Sequence, residues 1–193
     1  ANLVEKFNRC YVQGTSCGNS RASYYTGRHV RSHGATWNGW PNRLDELTLA
    51  DHLAACDMST YLMGKTHMKP DMAGMNRLGI EPQSELGRFL SNAGFGQGEH
   101  DDGLHTVGVA GGYGTGTPAY FEYLRKHGYA AKNPWVTHAN AMQDEDGILR
   151  NGMFLKYGHL PARVDKVHSE TAYTTDRAIE MIQHLGPKNW CLH

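Results

Sequence analysis

Cys17 opens the run Cys17-Gly18-Asn19-Ser20-Arg21, and Thr26-Gly27-Arg28 follows it, so one sulfur nucleophile and two guanidinium groups fall within about twelve residues. A cysteine entering a helix with an arginine four positions later faces backbone N–H donors and a fixed positive charge. Both favour an anion at that place. The chemistry on offer is nucleophilic attack on an electrophilic ester centre. A buried structural cysteine ahead of a surface helix is the plain alternative for an isolated Cys.

Three further sets of residues have chemical potential. Gly64-Lys65-Thr66-His67 has the ending of a phosphate loop, but that motif needs a glycine five positions before Gly64, where Ser59 stands, so nucleotide binding by this route is rejected. In an extended segment Lys65 and His67 would point to the same side, bringing a point charge and a titratable ring to one spot. A solvated Lys-His pair after a strand is the alternative. Trp37 and Asn38 could meet a substrate's ester group, with a packing Trp and a turn Asn as the equal alternative. His100-Asp101-Asp102 with His105 offers mixed oxygen and nitrogen metal ligands, and Gly112-Tyr113-Gly114-Thr115-Gly116 could cradle a phosphate; both are better read as solvated, flexible loop.

These residues need elements to hold them. Ala1 to Asn8 reads as the tail of a helix and Cys10 to Gln13 as a short strand feeding Gly14-Thr15-Ser16. A helix from about Ser20 to Tyr25 ends at Gly27. Thr48-Leu49-Ala50-Asp51 resembles a capping box, with Leu49, His52, Leu53 and Cys56 on one helical face to pack on a sheet. Thr60 to Met63 is a buried strand delivering Lys65 and His67 at its carboxyl end, where ligands bind in open α/β sheets. Glu85 to Ala93 is a helix closed by Gly94, and Gly96 to Gly116 a long surface excursion. Thr117-Pro118 should be N-cap and first turn of a helix reaching His127 and stopping at Gly128. Asn133 to Arg163 has little periodicity, with a turn at Asp144-Glu145-Asp146-Gly147. A last helix from Ala172 to Leu185 puts Thr175, Ala178, Ile179 and Ile182 on one stripe and ends at Gly186-Pro187.

The chain has 193 residues, enough for one respectable core. Nineteen basic and nineteen acidic side chains give zero formal net charge. That removes any general electrostatic reason to expect nucleic acid or an anionic membrane as partner. Apolar residues make up only 39%, glycines number 23 and the mean hydropathy is -0.58, a balance that suits a loop-rich enzyme domain. Cys10, Cys17, Cys56 and Cys191 form no Cys-x-x-Cys pair, which argues against a zinc ribbon or dithiol redox motif. No apolar run reaches the roughly eighteen residues of a membrane span, and the opening residues do not read as a signal peptide. The first residue is not Met, and Trp190-Cys191-Leu192-His193 reads as the opening of a buried strand, so the expectation is an internal fragment. Compartment is left open.

Cys-x-x-Ser-Arg at 17–21 followed by Thr26-Gly27-Arg28 resembles the signature of the sulfatase family, in which the cysteine is oxidised to formylglycine. The likeness continues through Ser32-His33-Gly34-Ala35-Thr36-Trp37-Asn38, Gly64-Lys65-Thr66-His67 and Ser169-Glu170-Thr171 into Asp176-Arg177-Ala178. Within the family it is nearest to the branch of phosphonate monoester hydrolases and related arylsulfatases, through Pro161-Ala162-Arg163-Val164 and Trp190-Cys191-Leu192-His193. It implies an α/β fold, an alkaline-phosphatase-like sandwich with helices on both faces of a mixed sheet. Residues 1–193 would form part of the N-terminal catalytic domain, without its first strand and C-terminal portion.

The resemblance also implies roles. Cys17, as formylglycine, is nucleophile and metal ligand; Arg21 holds its hydrate; Lys65 binds a nonbridging sulfate oxygen; His67 takes the proton when the hydrate collapses; Asn38 donates to the substrate anion. A divalent oxygen-liking cation, calcium foremost, with manganese or magnesium as alternatives, would polarise the ester. The partners are a small-molecule sulfate or phosphonate ester and a formylglycine-generating enzyme, and homo-oligomers are conceivable. Lys65 with His67 places sulfate monoester hydrolysis first and phosphonate monoester or phosphodiester hydrolysis second. Asn19 stands where the family usually has proline, and the paired aspartates and later Asp-His or Asp-Asn pair are not in this chain. A catalytically silent module retaining a thiol, and a thiol-dependent hydrolase pairing Cys17 with His67, are the readings from other classes.

Overall fold

The computed structural model describes residues 8–96, 98–101 and 118–193. The chain forms two compact units, one of Ala1–His52 with His67–Gly94 and one of Leu53–Thr66 with Phe95–His193.

The first unit is helical. α1 spans Cys17–Thr26 and α2 Val30–His33, each closed by a left-handed glycine, Gly27 at φ 66° and Gly34 at φ 77°. The stripe Asn19, Ala22, Ser23 and Thr26 of α1 is buried, as helical spacing requires. Its last turn is closed from within, where the Thr26 hydroxyl donates to Ala22 O at 2.7 Å. α3 spans Leu49–Ala54, and half of the expected capping box forms: the Asp51 carboxylate accepts the Thr48 N–H at 2.7 Å. Thr48 Oγ1 also donates to Ala93 O at 2.8 Å. α4, Met72–Leu78, is capped by Asp71, and α5, Glu85–Ser91, by Ser84, whose hydroxyl accepts the Gly87 N–H at 3.0 Å. Gly87 is obligatory, because a Cβ there would lie 2.2 Å from Glu81 O.

The second unit is built on a parallel sheet. β1, Ser59–Gly64, is its centre, flanked by β2, Gly98–His100, and β5, Trp190–Leu192. Register runs Leu62 to Gly98 on one side and Thr60 to Cys191 on the other. Gly98 lets β2 approach, since a Cβ there would meet Leu62 O at 1.6 Å. Leu62 is buried at the middle of β1, in line with a central strand. α6, Ala119–Lys126, and α7, Glu170–Leu185, enclose a core of Tyr120, Phe121, Leu124, Trp135, Val164 and Tyr173. Polar tips in this core are satisfied: Tyr120 OH donates to His168 O at 2.8 Å and Trp135 Nε1 to Glu170 at 2.9 Å. A separate antiparallel pair, β3 Ala141–Gln143 with β4 Leu149–Asn151, closes the list of strands among the described residues.

The architecture is the expected α/β one, and several local expectations are corrected. Cys10 to Gln13 is not a strand; Tyr11 and Val12 are exposed and pair with nothing regular. On α3 the buried residue is Ala50, while His52 and Cys56 are exposed and the helix stops before Cys56. On α7 the buried residue is Tyr173, and Ile179 and Ile182 stand 48% and 44% exposed, so the predicted stripe faces outward. Within the expected excursion β2 adds an edge strand, because pairing with β1 satisfies backbone groups on one side even where polar residues dominate. Pro118 sits at the N-cap of α6 and not in its first turn. The turn at Asp144 to Gly147 belongs to the β3–β4 hairpin, tied by Asp144 accepting the Ile148 N–H at 2.8 Å. The helix tail before Asn8, the Gly112 to Gly116 run, Thr117, and Asp102 and His105 lie outside the described residues.

Candidate active site

α1 begins without its own cap. Ser16 takes the extended N-cap conformation at φ -92°, ψ 154°, yet its hydroxyl makes no bond to the helix and is buried without a partner. The open N–H of Gly18 is satisfied from elsewhere: Asn38 Oδ1 accepts it at 2.6 Å. Asn38 thus caps α1 across twenty residues of sequence, a service that costs about 1 kcal/mol when a cap is lost. Gly18 makes the approach possible, for a Cβ there would sit 2.8 Å from Asn38 Oδ1 and 3.1 Å from Asn38 Cα. Asn19 sends its amide to Thr36 O at 3.1 Å and folds its side chain over Gly14. The loop after α2 and the start of α1 are therefore sewn together by two asparagines.

Cys17 is the first residue of α1, half-buried, with its Sγ 2.8 Å from His67 Nδ1 and 3.5 Å from Asn38 Oδ1. A thiol has one proton to give. It is within reach of both acceptors, and His67 Nδ1 is the nearer. His67 itself has φ 51°, a left-handed conformation that non-glycine residues avoid, and such outliers gather where a side chain must be aimed. The premise of a fully extended Lys65 to His67 segment therefore fails at His67.

His33 of α2 supports this arrangement from the side. Its Nδ1 accepts the Ala35 N–H at 3.1 Å, so the proton resides on Nε2, which donates to Ser23 Oγ of α1 at 2.9 Å. Burial lowers the His33 pKa, Glu46 opposes that and Arg28 adds to it.

Of the residues singled out from sequence, Cys17, Asn38 and His67 come together. Arg21 lies on α1 four residues after Cys17, the spacing that places two side chains on one helix face. Lys65 belongs to the second unit, directly after the last residue of β1 at a strand's carboxyl end. Strand geometry over Ser59 to Gly64 bears out the rejection of a phosphate loop. Sequence alone missed Gly18, the Ser23–His33 bond and the left-handed His67. Gly18 had a visible signal, a glycine inside a helix where alanine would be better.

The cation implied by the resemblance does not fit these donors. One sulfur, one imidazole nitrogen and one amide oxygen already in use are far from the six or more oxygens that calcium or magnesium takes. Among the described residues no group of three or more His, Cys, Asp or Glu side chains could hold a metal ion.

No protein-family model and no curated protein matches the chain. Solved structures do. A phosphonate monoester hydrolase from Silicibacter pomeroyi aligns over 95% of this chain with a TM-score of 0.68 and 22% identity, and one from Agrobacterium radiobacter over 94% with 0.58 and 19%. The chain spans about a third of their length, 32% and 31%. Over nearly all its residues this chain thus has the fold found in phosphonate monoester hydrolases, in keeping with the α/β class expected from the resemblance.

Proposed function

We propose that the protein is a hydrolase of sulfate monoesters whose nucleophile arises at position 17, by conversion of Cys17 to formylglycine by a dedicated oxidising enzyme. The carrying observation is the contact between Cys17 and His67 at the start of α1, where the cap comes from Asn38 outside the helix. That contact puts a titratable ring within hydrogen-bond reach of the side chain at position 17. The hydrated aldehyde supplies an attacking hydroxyl and a second hydroxyl that later expels the transferred group, splitting one hard step into two.

The chain's own residues do the rest. His67 Nδ1, held by its left-handed backbone, receives the proton from the side chain at position 17, a task suited to imidazole near neutral pH. Asn38 fixes the start of α1 with its Oδ1, which turns the amide NH2 to the other side as a donor for an anionic oxygen. Arg21, one helical turn on, offsets negative charge gathering at position 17. Phosphonate monoester hydrolysis is the second reading, favoured by the names of the two enzymes that share the fold.

The test is an assay of the natural protein and its Cys17→Ala variant on an aryl sulfate and an aryl phosphonate monoester. Turnover of the sulfate with the higher kcat/KM, lost at least about a thousandfold in the variant, is the expected result. A preference for the phosphonate selects the second reading. Turnover that survives Cys17→Ala overturns both, and absence of turnover with an intact thiol marks a silent module.

A further inference from the structure

Beside the carboxyl-terminal half of α1 the first unit holds a cavity of about 240 Å³, lined by Gln13, Ser23, Gly27, Arg28 and His29. Ser23 is its buried member, 4% exposed. His33 Nε2 donates to Ser23 Oγ at 2.9 Å, because His33 Nδ1 is already taken up in accepting the Ala35 N–H. The hydroxyl hydrogen of Ser23 is therefore left over. Thr26, three residues on, returns its own hydroxyl hydrogen to Ala22 O, but among the described residues Ser23 makes no such bond to its helix. A buried donor without an acceptor is costly, and the cavity is where this one finds its acceptor.

The other polar side chains on the wall are donors as well. Arg28 gives one N–H of its fork to Glu46 and keeps the rest, Gln13 has an amide NH2, and the His29 ring carries an N–H. No carboxylate lines the cavity, and Glu46 itself has a side chain only 8% exposed. A water molecule accepts about two hydrogen bonds, fewer than four donor side chains supply. A tetrahedral oxyanion, with acceptor lone pairs on every oxygen, matches such a wall. We infer that this cavity is a binding site for a small tetrahedral oxyanion, sulfate or phosphate, held by Ser23, Gln13, Arg28 and His29. Glu46 offsets the charge of Arg28, so binding comes mainly from donated hydrogen bonds, and a Kd on the order of 1 mM is expected. None of the four belongs to the machinery at position 17, so the site stands apart from the hydrolase reading.

The experiment follows the His33 ring Nε2–H by nuclear magnetic resonance while sodium sulfate is added to the natural protein, with sodium chloride at matched ionic strength as control. An oxyanion that takes the Ser23 hydroxyl hydrogen makes Ser23 Oγ a better acceptor, so the His33 signal moves and saturates with sulfate and stays in place with chloride. Calorimetry then compares sulfate binding to this site in Ser23→Ala and Gln13→Glu, each weakened about tenfold. Gln13 is exposed and outside every helix and strand, so Gln13→Glu keeps the fold even if Ser23→Ala does not, and thermal unfolding checks both. Methyl sulfate separates the sources: weaker binding than sulfate assigns the site to the free ion and equal binding to the end of a larger ester, and either result upholds it. A His33 signal that ignores sulfate, or moves equally with chloride, overturns the site, as does a Gln13→Glu protein that binds sulfate like its parent. Ester turnover enters none of these readouts, so failure of the hydrolase reading is told apart from failure of the anion site.

Discussion

At position 18 the chain tolerates only hydrogen. A methyl group there would press on Asn38 Oδ1 at 2.8 Å and Asn38 Cα at 3.1 Å, two atoms whose places are set by a cap and a turn, not by a flexible chain. Gly18→Ala therefore loses about 1–3 kcal/mol of stability through overpacking, even though alanine is the better helix former. It should also lower kcat/KM by about a hundredfold, because a shift near 1 Å between Asn38 and position 17 spoils alignment. Denaturant titration and steady-state kinetics on the purified variant check both, and a variant as stable and active as its parent would show the contact to be slack. The neighbouring Asn19 occupies its usual-proline position by a different means: its amide bonds Thr36 O and its side chain fills the space over Gly14. The contacts of positions 18 and 19 are with residues about twenty apart in sequence, which is why local pattern gives the nucleophile's helix but not what pins it.

Between α1 and α2 the Ser23–His33 bond depends on a neutral imidazole. Burial, reinforced by Arg28 and opposed by Glu46, holds the His33 pKa below the ordinary 6.5 in the folded state. The unfolded chain therefore takes up its proton first as pH falls. Stability from this group is complete above about pH 6.5 and is lost as pH drops through the lower folded value. Unfolding free energies measured from about pH 8 to about pH 5 should decline on the acid side, and His33→Gln should flatten part of that slope. A slope unchanged by the substitution would assign the acid sensitivity to other groups, such as His138, whose pKa burial also lowers. Element boundaries that depend on a local stop were legible in sequence: Gly27 after α1, Gly94 after the α5 segment, Gly186 after α7, and β1 as a buried strand. Faces were less legible. Periodicity shows that Ile179 and Ile182 share a side of α7, but burial is decided by what packs there, and the packed residue is Tyr173. Three-residue strands such as β3 and β4 give no period at all; their pairing comes from the turn, where Asp144 meets both the Ile148 N–H and Arg150.

At the scale of the molecule, the two units share out the expected chemistry unequally. The first contains Cys17, Arg21, Asn38 and His67, and the second contains Lys65. The chain covers about a third of the phosphonate monoester hydrolases whose fold it shares, and its described residues include no cation cage. The decisive chemistry sits in one side chain, and mass spectrometry of the peptide containing Cys17, from the natural protein made in its own host, reads it. An aldehyde at position 17 is expected in the protein that hydrolyses the ester; a plain thiol there, in protein turning over substrate at full rate, would rule out formylglycine as the nucleophile.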